Sequence, residues 1–414
     1  MRAAAGALLH DIARALPPPF DEHSSPSLAG GDAGYALFKG YWVLSGILSQ
    51  EQCRRHQSSM MDYLQSALDK LPRIAHRPDF ISGIAGVAWT VNHLNRLGSV
   101  RDCEDLCDPL DEVLIERLDR SDSMLCELLT GLSGIGLYAL GRRNRPSGRK
   151  ILERVLGALE ASAVEHNGFR TWFNQREKLS AISRQSTPNG CYNLGLSHGV
   201  PGAIAFLAQA ASAGMPLAQK LVGDAAAWLL AQRRQYRNGS MFTYSFLADP
   251  TEDMAGTRLA WCYGDLGISA ALLLSAQCLR ATAWEASALE MARNAARRSE
   301  EGSGVRDAGL CHGAFGNAHI FRRLYGATRE QCFVEAAVRW MRAGFAMRRE
   351  GVGLAGFRAW APAQSNEPER DPWLAEPGFL EGICGIGLVL LGMTSPVEPR
   401  WDEALMLNVR PKEA

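Results

Sequence analysis

The sequence predicts an all-α fold built from seven helical hairpins, and three observations carry that prediction. A GxxG element recurs at Gly31/Gly34, Gly83/Gly86, Gly131/Gly134, Gly199/Gly202, Gly264/Gly267, Gly313/Gly316 and Gly382/Gly385. Successive first glycines stand 52, 48, 68, 65, 49 and 69 residues apart, room in each unit for two helices and a loop. Strand signals are few, with Ser240 to Leu247 the one weakly extended stretch.

The elements follow in chain order. Arg2 and the apolar run Ala3 to Leu9 lead into His10, Asp11 and Arg14, where a signal peptide would stay apolar, so an ordinary helix is expected. After Gly83, the residues Ile84, Val87, Val91 and Leu94 keep helical spacing, with Asn92 and Arg96 off that stripe. Leu221 to Gln232, rich in Ala and Leu, reads as a helix between repeats. After Gly313, Phe321, Leu324 and Tyr325 form an apolar stripe beside Arg322 and Arg323. Two glycines three apart on one helix face let backbones approach closely, or leave N–H groups open to a ligand. A ring of seven such hairpins would gather the helix N-termini at one end of a closed toroid, an end favouring anions through the helix dipoles. Asp265 and Glu381 read as helix-start charges complementing those dipoles.

Composition is that of a globular chain: 414 residues, 47% hydrophobic and 21% charged. Lys plus Arg number 44 and Asp plus Glu 44, so no global charge directs the chain to nucleic acid or an anionic membrane. The most apolar stretch, Gly378 to Met393, contains Glu381 and falls short of the ~20 residues a membrane span needs. Ten cysteines are scattered without the dense spacing of a disulfide scaffold, which fits a reducing cytoplasm. Cys103 and Cys107 form a CxxxC pair that nothing nearby completes as a metal site, so they read as a helix face.

Three glycine motifs carry metal-competent residues: His198 in Gly195-Leu196-Ser197-His198-Gly199, Cys262 in Trp261-Cys262-Tyr263-Gly264-Asp265, and the pair Cys311-His312 before Gly313. Taken singly each is weak, since cysteine is commonly buried and a lone histidine is usually structural. Gathered at one end of a ring, two thiolates and one imidazole make a soft three-ligand set suited to Zn²⁺ with a fourth position open.

The runs WCYGD and CHGAFGNAHIF, with NLGLSHGVPG upstream and GLSGIG and LEGICGIG flanking, resemble the lanthionine synthetase C-like family over nearly the whole chain. The resemblance implies one domain over 1–414, an α/α toroid of seven inner and seven outer helices forming a double ring. It implies one Zn²⁺ held by Cys262, Cys311 and His312, with water in the fourth position until a substrate thiol displaces it. Zinc lowers a bound thiol's pKa, and the thiolate would add to dehydroalanine or dehydrobutyrine to close a thioether ring. His198 matches the family's acid/base position and Arg258 an arginine that stabilises enolate charge, while Tyr263 beside the ligand is a candidate donor that could equally pack on a neighbouring repeat. Where the family leads one to expect an aspartate four residues before a repeat glycine, this chain has Glu127 before Gly131; it either orients His198 or is a plain helix charge. The implied partners are a dehydrated precursor peptide and a dehydratase.

Rival readings exist. Gly195-Leu196-Ser197-His198-Gly199 formally matches a serine-hydrolase elbow, but Cys191-Tyr192-Asn193-Leu194 is too short and polar for the buried strand it requires. The GxxGxG runs at Gly131 and Gly382 have the wrong glycine order for a dinucleotide fingerprint. A carboxylate-pair glycosidase leaves the cysteines unexplained. Relatives that bind or act on a small thiol such as glutathione would share the zinc. The longer segments 163–190, 235–256 and 347–377 carry Trp172, Tyr236, Phe242, Trp360 and Trp373, where peptide contacts are expected.

Overall fold

A computed structural model describes residues 2–100, 105–120, 124–179, 184–185, 187–246, 256–361 and 369–412. Among them are fourteen α-helices of ten residues or more: α1 Arg2–Ala15, α2 Asp32–Leu44, α3 Gln50–Asp69, α4 Ile84–Arg96, α5 Asp108–Arg120, α6 Leu132–Gly141, α7 Pro146–Ser162, α8 Val200–Ser212, α9 Pro216–Ala231, α10 Asp265–Leu279, α11 Thr282–Arg297, α12 Ala314–Thr328, α13 Gln331–Ala346 and α14 Ile383–Thr394. The expected N-terminal helix is present. Six of the seven motif helices are capped by their first glycine, and α12 starts directly after Gly313. None of the helices among the described residues is long and apolar enough to cross a membrane.

The glycine-led helices differ from their partners in a way the sequence stripes do not convey. In α4 every residue from Ile84 to Leu94 is buried, Asn92 included. A helix apolar on all sides belongs inside a core, and so the Asn92 expected off the stripe lies within it. The partner helices expose one face: α3 buries only Met60, Tyr63, Leu64, Ser66 and Ala67 of its twenty residues. It begins with a capping box between Ser49 and Gln52. Arg323 likewise leaves the solvent, its guanidinium bidentate on the buried carboxylate of Asp402 at 2.6 and 2.9 Å.

The chain falls into two compact units. The first comprises Met1–Leu114, Arg306–Gly316 and Trp340–Trp401; within it α2 packs on α3, α4 and α14, and α1 packs on α14. The seventh hairpin is thus made from the last motif helix and the first helix of the chain. The second comprises Ile115–Val305, Asn317–Arg339 and Asp402–Ala414, where α8 packs on α6, α9 and α10, and α10 on α11.

In both units the motif loops are tied through the residue two before the first glycine. In the first, Cys311 N–H donates to the Leu380 carbonyl, Leu380 N–H to Ala29 and Ala29 N–H to Ile81, at 2.8, 3.2 and 2.9 Å. In the second, Leu129 N–H donates to Ser197 and Ser197 N–H to Cys262, both at 3.3 Å. The glycines make this possible by letting each loop fold back on its helix. A Cβ at Gly86 would collide with the Phe80 carbonyl oxygen, and one at Gly316 with that of Leu310. The close approach is therefore between a helix and its own preceding loop rather than between two helices.

Strands are more numerous than expected. Besides Ser245–Phe246, antiparallel with Tyr192–Asn193, there are ribbons Val164–His166 with Phe169–Thr171 and Ala359–Trp360 with Trp373–Leu374. Two- and three-residue strands carry too little alternation to register as a pattern. Leu247, at the end of the predicted stretch, lies outside the described residues, as does Cys103; Cys107 is buried, with its thiol 3.6 Å from the Ala88 carbonyl oxygen.

Candidate metal centre

The loop Thr257–Gly264 presents Cys262. Gly264 sits at φ +97°, a conformation that favours glycine, and a Cβ there would strike Thr257. Trp261 anchors the loop by donating Nε1–H to the Leu405 carbonyl at 2.8 Å. Ser197 holds the Cys262 carbonyl twice, through its N–H at 3.3 Å and its hydroxyl at 3.2 Å. Ser197 is thereby buried and committed to structure, which removes the nucleophile that a hydrolase would need. Arg258 is half-buried, its Nη2 3.7 Å from the Cys262 sulfur.

Beside Ser197, His198 leaves 44% of its side chain exposed while its Nδ1 lies 3.0 Å from Glu127 Oε2. Glu127 is fully buried and further accepts from the N–H groups of Leu129 at 2.9 Å and Thr130 at 2.6 Å. One extra methylene has not cost the carboxylate its reach to His198. Burial pulls the His198 pKa down, but the hydrogen bond and charge of Glu127, reinforced electrostatically by Cys262, hold it above the ordinary histidine value. Tyr263 packs its ring on Gly195 and accepts a hydrogen bond from Asn193 Nδ2 at 3.1 Å. Burial pushes its hydroxyl pKa up.

Cys311 and His312 open α12, 6% and 7% exposed. His312 Nε2 lies 3.2 Å from the Trp360 carbonyl oxygen and 3.3 Å from Asp307 Oδ2. The ligand atoms of Cys262, Cys311 and His312 all lie within 4.8 Å of one another, the one such group of three among the described residues. Two sulfurs and an imidazole nitrogen this close form a possible Cys/His metal site, and the soft donor set fits zinc.

Asp265 stands in the first turn of α10, as expected of a helix-start charge, and it is fully buried, both oxygens accepting from Met241 N–H at 2.9 Å. Burial raises its pKa to about 6, since charge is disfavoured away from water, against its hydrogen bonds and Arg298. Of the aromatic residues expected to meet a peptide, Trp172 and Phe242 are core, 3% and 0% exposed, the indole of Trp172 donating to the Leu159 carbonyl. Tyr236 and Trp360 are half-buried and Trp373 is 37% exposed.

Asp307 is the site residue that motif reading missed. Its turn is readable: six residues before the first glycine, Asn193, Asp307 and Glu376 each accept the N–H of the residue two places on. Its approach to His312 has no signal in spacing.

A family model described as lanthionine synthetase C-like protein matches residues 22–406. The nisin biosynthesis protein NisC of Lactococcus lactis subsp. lactis is 24% identical over 392 residues, covering 88% of this chain and 86% of that protein. The solved structure of nisin cyclase superposes with a TM-score of 0.75 at 20% identity, covering 94% of this chain and 93% of its own. The fold is accordingly the all-α toroid that the seven hairpins predict. With the family model spanning nearly all of it, the chain belongs to the lanthionine synthetase C-like family.

Proposed function

We propose that this chain is a zinc-dependent lanthipeptide cyclase, one domain over residues 1–414, acting in the cytoplasm on a dehydrated precursor peptide delivered by a dehydratase. The observation that carries the proposal is the convergence of the two sulfurs and one imidazole of Cys262, Cys311 and His312 within 4.8 Å, read beside the relatives named for nisin biosynthesis and cyclisation. Those three side chains would hold Zn²⁺, which supplies the Lewis acidity that lets a substrate thiol ionise near neutral pH.

The remaining work falls to the chain itself. The substrate thiol loses its proton to solvent, and its sulfur bonds to the β-carbon of dehydroalanine or dehydrobutyrine. The alkene electron pair moves to the α-carbon and its carbonyl, giving an enolate. His198, protonated, supplies the proton that completes the α-carbon. Its partial exposure lets it recharge from water, and Glu127 fixes which ring nitrogen faces outward. Arg258 places a cation beside the Cys262 sulfur, where it offsets negative charge. Tyr263, hydrogen-bonded to Asn193, positions the loop.

The test is metal content of the purified protein together with turnover of a dehydrated cysteine-containing peptide. Ring closure leaves mass unchanged, so it is read as loss of thiols available to an alkylating reagent. About one zinc per chain and disappearing peptide thiols are expected. Zinc with consumption of glutathione but not of peptide thiols would move the protein to the small-thiol relatives; no zinc in folded protein after reconstitution would end both readings.

A further inference from the structure

A carboxylate and a backbone carbonyl meet at His312 Nε2 in a single arrangement. Asp307 Oδ2 accepts from Trp360 N–H at 2.9 Å and lies 3.3 Å from His312 Nε2, while the carbonyl of the same Trp360 lies 3.2 Å from that nitrogen. Oδ1 is used by Gly309 N–H at 3.0 Å, so the carboxylate is fixed at both ends. Gly313 is what admits it, since a Cβ there would collide with Oδ1. Trp360 in turn is held over its indole by the Arg306 guanidinium at 4.3 Å, meets the His312 ring edge-on at 6.5 Å, and stands opposite the exposed Trp373 in a two-stranded ribbon.

With Nε2 donating to carboxylate and carbonyl, the lone pair of the neutral imidazole sits on Nδ1, the nitrogen that would then ligate a metal. We propose that Asp307 is a positioning residue: it fixes the tautomer and ring plane of His312 and ties them to the Trp360–Trp373 ribbon, so that a peptide lying on the ribbon's indoles is sensed at the metal. This rests on zinc being held by Cys262, Cys311 and His312. The role belongs to the carboxylate's charge rather than to the turn it shares, because Asn193 makes the same turn bond to Gly195 N–H at 2.9 Å with an amide. An asparagine at position 307 therefore has a precedent in this chain for folding correctly.

The experiment compares wild type, Asp307→Asn and Trp360→Ala as full-length chains, using zinc competition against a chromogenic chelator and the visible spectrum of the Co²⁺-substituted protein. Asp307→Asn should weaken zinc binding about 10- to 100-fold and shift the cobalt ligand-field bands, while the metal-free variant melts like metal-free wild type. Trp360→Ala, which keeps the backbone N–H and carbonyl, should leave affinity within about twofold but abolish the shift in cobalt bands that dehydrated peptide causes in wild type. Unchanged affinity and spectrum in Asp307→Asn would overturn the inference while leaving the zinc reading intact. A wild type that binds neither zinc nor cobalt would overturn both.

Discussion

Two loops of this molecule carry a histidine immediately before the first glycine of their motif, and the two histidines are set up for different chemistry. His312 is 8% exposed in its side chain and presents Nε2 to Asp307 and the Trp360 carbonyl. His198 is 44% exposed and presents Nδ1 to the buried Glu127. Each has a carboxylate, yet the carboxylates come from different places. Asp307 lies in the histidine's own loop, five residues before it, whereas Glu127 comes from the loop of another repeat. A buried ring whose outer nitrogen is already engaged is suited to bind a metal. A half-exposed ring with its pKa held up by a carboxylate is suited to carry a proton. The repeat supplies the position, and the surrounding carboxylate and solvent decide the role.

The comparison can be broken most severely at the sulfurs. Cys262→Ala and Cys311→Ala should each reduce bound zinc to near background by elemental mass spectrometry, with circular dichroism unchanged and peptide thiol consumption lost. Retention of zinc in either variant would remove that cysteine from the ligand set. His198→Asn is the next largest effect: zinc stays and cyclisation slows about 10²- to 10⁴-fold, the range for a lost general acid. Loss of zinc from that variant would make the two histidines alike after all.

Glu127→Gln sharpens the contrast. Glu127 raises the His198 pKa, so the acid form persists to higher pH in wild type. Removing that charge should move the alkaline limb of the kcat/KM profile to lower pH and reduce the rate about tenfold near neutrality. An unmoved limb would assign the titration elsewhere.

The smallest expected effect lies behind the Cys262 loop. Asp265 has a folded-state pKa of about 6, above its ordinary value of 3.8. The folded protein therefore binds the proton more tightly than the unfolded chain, and this group's contribution is fully present below about pH 4 and lost as pH rises through about 6. Asp265→Asn should remove about 1–3 kcal/mol of that pH dependence, read from urea midpoints between pH 4.5 and 7. An unaltered slope would place the titration on another buried carboxylate.

Much of this protein is legible in its amino-acid sequence. Glycine pairs and their spacing announce seven hairpins because the loop before each helix folds back so tightly that a Cβ at these positions meets backbone. Cys262, Cys311 and His312 could be chosen because their side-chain chemistry is uncommon at a helix start and recurs at equivalent repeat positions. What the tertiary structure alone decided was the surroundings of each group. Asn92 and Arg323 read as lying off or beside an apolar stripe and Asp265 as a helix-start charge, and all three are held inside, since a local pattern cannot report the neighbours that cover it. Trp172 and Phe242 read as loop aromatics available to a peptide, and both are core. Glu127 lies 71 residues from His198 and Trp360 48 from His312, and no periodicity specifies such pairings. Local backbone geometry is written into neighbouring residues, whereas burial and long-range hydrogen bonds exist only once distant segments have packed together.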